Sequence, residues 1–147
     1  MVKKRLALSV GMAVACGTLI IGAHALPAGA SSWGTYAARC GTWLGDVPKL
    51  DSYIIQDHND GNRTALTASM VALYDDGKLI AACDNSPDAP VNGIARHWGA
   101  ALENAGAYGY RWATHYSTAN ELSFASAEAT AKKYENQFAN RLAALGR

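Results

Sequence analysis

Hydrophobic positions along this chain change their period several times, and each change predicts an element. Trp33, Tyr36, Cys40, Trp43 and Leu44 recur at helical spacing and predict a short opening helix. Residues 52–56 (Ser-Tyr-Ile-Ile-Gln) have strand composition, and Asn59-Asp60-Gly61-Asn62 is a turn signal. Leu66, Met70 and Leu73 would also suit a helix face, but residues 63–74 read as a longer strand because Asp76-Gly77 suits a tight hairpin turn with positive φ. Pairing across that turn sets Leu73 against Ile80 and Met70 against Cys83, so 78–83 is the returning strand.

Pro87 and Pro90 end the sheet run, and Asp88 is a good N-cap. Val91, Ile94, Ala95, Trp98, Leu102 and Ala105 then form an apolar helical stripe that Gly106 is expected to stop. Aromatic and other residues alternate from Tyr108 to Tyr116, which predicts a strand. Thr118 with Glu121 reads as a capping box for a last helix, whose stripe is Phe124, Ala127, Ala131, Tyr134, Phe138, Leu142 and Leu145. The order is (α)βββαβα. It implies an α+β fold: a small antiparallel sheet of about four strands with two main helices packed on one face.

The N-terminus follows a different logic. Lys3, Lys4 and Arg5 precede an apolar run, and Ala28-Gly29-Ala30 offers small residues for a peptidase. Residues 1–30 therefore read as a signal peptide, residues 31–147 as a single globular domain, and the protein as secreted. Two alternatives tether it to a membrane. The apolar run is about 20 residues, long enough to span a bilayer if left uncleaved, and Cys16 stands where a lipidated cysteine would. Neither alternative matches the sequence as well: the cleavage signal is good, and the apolar run continues past Cys16.

Charge narrows the partners, and cysteine content agrees with export. Of 13 Lys and Arg, three lie in the leader; the ten that remain face 12 Asp and Glu, a net charge of −2. No basic block remains, which argues against nucleic-acid binding, and nothing after the leader is apolar enough for a membrane span. Cys40 and Cys83 are left as a pair, expected to form a disulfide in an oxidising compartment.

Candidate chemistry is sparse. Tyr108, Tyr110, Trp112 and Tyr116, on one face of the expected strand, offer a stacking platform for a sugar or a protein, against the plainer reading that they pack under the last helix. His115 and Arg111 on the other face, with Glu103 or Glu121 from helix ends, are the components of a small secreted hydrolase. Asp57, His58 and Asp60 in the 57–62 loop suggest a calcium-dependent module, although the loop fails the EF-hand pattern and reads more simply as a solvated turn. No nucleophile elbow, phosphate loop, His-Glu-x-x-His or Cys-x-x-Cys is present, and no cofactor is implied. Asn62-Arg63-Thr64 matches a glycosylation acceptor. The leading reading is an exported, disulfide-linked domain that acts by binding an extracellular protein, such as an enzyme it inhibits or assists, or a glycan.

Overall fold

The computed structural model describes residues 32–147, and these form four helices: α1 (Trp33–Asn59), α2 (Arg63–Ala81), α3 (Ala89–Thr114) and α4 (Thr118–Ala144). The leader expected over residues 1–30 and the lipidation alternative at Cys16 lie outside the described residues. Among those residues there is no strand, so the α+β reading and its four-stranded sheet are corrected to an all-helical architecture.

Each helix starts at a side-chain cap. Ser32, Asn62, Asp88 and Ser117 accept hydrogen bonds from the backbone N–H of Thr35, Ala65, Val91 and Asn120. The last helix is thus capped one residue before the expected Thr118. Gly61 (φ 68°) and Gly146 (φ 69°) sit in the left-handed region at the α1–α2 turn and after α4, where a Cβ would be strained.

Helices form where strands were expected because the buried residues follow a seven-residue rhythm. Tyr36, Cys40, Val47 and Ile54 are the buried positions of α1, so the expected strand 52–56 is the continuation of one helical stripe. In α2 the stripe is Leu66, Met70, Leu73, Gly77 and Ile80, which runs straight through the expected hairpin turn at Asp76-Gly77. In α3, Gly106, Gly109, Trp112 and Ala113 are buried while Tyr108 and Tyr110 are exposed. The alternation over 108–116 therefore samples two sides of a helix, and Gly106 does not stop that helix but carries its contact with α2.

Glycine placement explains that contact. A Cβ on Gly77 would meet the Glu103 nitrogen at 2.7 Å, and one on Gly106 would meet the Tyr74 nitrogen at 2.6 Å. The two backbones approach more closely than any side chain would permit, so glycine's poor helix propensity is outweighed by the packing of α2 on α3.

Short connections place the helices antiparallel in sequence order, as in an up-down-up-down bundle. Cross-links confirm the pairing of ends. Cys40 near the start of α1 is disulfide-bonded to Cys83 after α2. Arg63 at the start of α2 donates to the Ala113 and Thr114 carbonyls at the end of α3 (2.9 and 2.7 Å). Arg141 near the end of α4 forms an ion pair with Asp88 at the start of α3 (2.6 Å).

The core is aromatic at both ends. Trp98 packs on Phe138 with centroids 5.4 Å apart. Trp112 lies between Phe124, stacked at 5.4 Å, and His58 at 4.8 Å. The fourth side of the bundle differs from the others, because no Cα of α1 comes within 8 Å of one of α4.

Candidate functional site

A groove of about 510 Å³ runs between α3 and α4. Ala101, Asn104 and Tyr108 line it from α3, and Leu122, Ser123, Ser126, Ala127 and Thr130 line it from α4. Small side chains at 101 and 127 keep it open. Leu122 is 65% exposed and Tyr108 is 39% exposed, so two large apolar groups share this surface. Ser123 and Thr130 donate their hydroxyl hydrogens to the Ala119 and Ser126 carbonyls, which leaves their oxygens as acceptors toward the groove.

No lining residue is charged. Basic residues lie three, four or seven positions beyond the lining along the same helical faces: His97, Arg111 and His115 on α3, and Lys133 on α4. All four are nitrogen bases, and no carboxylate holds an equivalent position. Aromatic contacts hold three of them. His97 stacks on Tyr134 at 5.5 Å, the Lys133 ammonium lies 5.8 Å from the Tyr134 ring centre, and the Arg111 guanidinium lies 5.7 Å from that of Tyr108.

The expected platform of Tyr108, Tyr110, Trp112 and Tyr116 is divided. Trp112 is core, and Tyr116 rests on it at 5.6 Å with the Arg63 guanidinium 4.5 Å from its ring centre. Tyr110 is exposed but outside the groove, and only Tyr108 lines it.

Helical geometry also rearranges the expected hydrolase residues. Arg111 and His115 stand one turn apart rather than along a strand, whereas Glu103 lies about 18 Å along α3 from His115. Glu103 packs against α2 beside Gly77. Glu121 occupies the first turn of α4. His115 is exposed; its Nδ1 meets the Thr114 hydroxyl at 3.0 Å and its carbonyl accepts from Asn120. Among the described residues, no carboxylate is within hydrogen-bond distance of its ring.

Asp57 and His58 belong to the last turn of α1, and Asp60 is that helix's C-cap. The Asp57 carboxylate accepts from the Ser69 hydroxyl (3.1 Å) and His58 faces Trp112, so they do not converge with Asp60 on one point. Among the described residues, no three His, Cys, Asp or Glu side chains are grouped to hold a metal ion.

A second polar cluster fills the wide α1–α4 seam. Glu135 is buried and pairs with Lys132 at 2.7 Å. Burial pushes the Asp51 carboxyl up to about 6; Lys132 acts against the rise and Glu135 adds to it. Burial, then the Asp51 charge, raises Glu128 as well.

Sequence reasoning did not find the groove, although one signal was present. Leu122 lies off the apolar stripe of α4, on the side where an amphipathic helix ordinarily carries polar residues. Asn104, Ser123, Ser126 and Thr130 carry no such signal.

Comparison of the chain with protein-family models, with curated proteins and with solved structures returns no match. No helix among the described residues is long and apolar enough to cross a membrane.

Proposed function

We propose that this chain is an exported domain that acts by binding a partner protein through the α3–α4 groove. One observation carries the reading: Leu122, more than half exposed and outside the buried stripe, shares an open groove with the exposed ring of Tyr108. The surrounding Ser, Thr and Asn side chains supply adaptable hydrogen bonds at little ordering cost, and the tyrosine is a rigid amphipathic anchor. Arginine and tyrosine at the groove's edge are also the residue types that dominate binding energy at protein interfaces.

Export is part of the proposal. The basic-apolar-small pattern over residues 1–30 supports it, and so does a cysteine pair placed to bond, which persists in oxidising compartments.

Photo-crosslinking tests the groove. A benzoylphenylalanine at position 122, in the cells that make the protein, is expected to give one dominant protein adduct. The same group at Ala68, exposed on α2, is the comparison. Identical adducts from both positions, or none from 122, would overturn the reading.

A further inference from the structure

We infer that the occupant of the α3–α4 groove is an acidic helical segment with an apolar centre, lying along the seam as a fifth helix. This rests on the binding reading above and adds the chemistry of the partner.

Charge around the groove is of one sign. An uncharged floor is bordered at one end by His97 and Lys133 and at the other by Arg111 and His115, with no carboxylate at matching helical positions. Acidic groups take other helical positions: Asp51, Glu128 and Glu135 lie at the opposite α1–α4 seam, Glu121 next to Leu122 falls seven residues before Glu128 on that same stripe, and Glu103 faces α2. Such segregation attracts an anionic partner and penalises a cationic one through like-charge contact. Arg111 and Lys133 are exposed and form no ion pair among the described residues, so their charges face solvent.

Length follows from the same residues. His97 and Arg111 are fourteen positions apart on one helix, about 21 Å at 1.5 Å per residue. A helix of four turns matches that span and would place carboxylates at both ends with apolar side chains between. Ala101 and Ala127 on the floor leave the space its central residues would occupy, beside Leu122 and Tyr108. A groove between two parallel cylinders takes a helical ridge directly, with apolar anchors at i, i+4 and i+7.

Three 16-residue peptides provide the test. Each carries the same Leu/Ala face, and its flanking positions are all Glu, all Gln or all Lys. Binding to the oxidised protein, as its producing cells make it, is followed by amide chemical shifts. The Glu peptide is expected to shift Asn104, Tyr108, Ser123 and Ser126, to bind at least about tenfold tighter than the Lys peptide, and to weaken as salt rises. Arg111→Glu with Lys133→Glu, both at exposed positions, is expected to reverse the order. Groove binding by the Lys peptide as tight as by the Glu peptide overturns this inference and leaves the groove as a docking site. No groove shift with any peptide at millimolar concentration also overturns this inference, while the crosslink at position 122 separately decides the binding reading.

Discussion

The carbonyl oxygen of Gly77 lies well inside van der Waals contact of the point where a Cβ on Gly99 would stand, so α2 and α3 touch backbone to backbone there. Ala81 closes the same space from the next turn. Because backbone atoms do the blocking, Gly99→Ala forces the helices apart and is expected to cost about 1–3 kcal/mol. Gly93 also lies within α3, but a Cβ there meets nothing within 4 Å. Gly93→Ala is expected to add about 0.5–1 kcal/mol through helix propensity. Urea unfolding midpoints of the two variants should move in opposite directions.

The Cys40–Cys83 bond closes a loop with a sequence separation of 43. In the chain-entropy relation this constrains the unfolded chain by roughly 4 kcal/mol. Replacing both cysteines with alanine should lower the unfolding free energy by about that amount. Intact mass of the unsubstituted protein addresses export: the released chain should begin at Ser31 and gain the mass of two hydrogens on reduction. A membrane-bound form retaining Cys16 would contradict export as a soluble protein.

Asp51 sets the pH response near neutrality. Its carboxyl titrates at about 6 in the folded state, well above the ordinary carboxylate range, so the folded protein holds this proton more tightly than the unfolded chain. Stability should therefore rise as pH falls from 7.5 through 6 toward the ordinary carboxylate range. Glu128, shifted in the same direction, adds to the effect. Asp88 works in the opposite sense, because its hydrogen bond with Arg141 holds its carboxyl low; that contribution is lost only in stronger acid. Asp51→Asn should raise stability at pH 7.5, by at most about 3 kcal/mol, and flatten the profile between pH 5 and 7.5. Thermal melts across that range check both outcomes.

Tyr36 is 2% exposed and its hydroxyl has no hydrogen-bond partner among the described residues, while its ring meets Trp33 edge-on at 5.9 Å. Phenylalanine keeps the ring contact and removes the unsatisfied oxygen. Tyr36→Phe should therefore stabilise the protein by about 1 kcal/mol. A loss of stability on calorimetry would show that the hydroxyl has a partner.

How much of this was legible in the sequence depends on what each residue reports. The apolar stripe of α4 and the Asp88 cap are local signals, and both correspond to the structure; so does the cysteine pair. Asp76-Gly77 misled because a glycine serves two purposes. It permits positive φ in a turn, and it permits close helix approach, and only the partner helix decides between them. The run from Tyr108 to Tyr116 misled in a related way, since Gly109 faces Met70 of α2 and its neighbours divide between core and solvent. Groove residues such as Asn104 and Ser126 are ordinary surface types, and they become a site only when α3 and α4 set them across from one another.

Side-chain footprinting by hydroxyl radicals shows whether the α3–α4 groove is the binding surface, applied to the protein with and without the partner recovered by crosslinking at position 122. The protein carries its own control, because Tyr53, Val71 and Leu79 are large exposed apolar residues on α1 and α2. Binding in the groove should protect Tyr108 and Leu122 while labelling of Tyr53, Val71 and Leu79 is unchanged. Protection of the α1 and α2 residues with Tyr108 and Leu122 still labelled would contradict it.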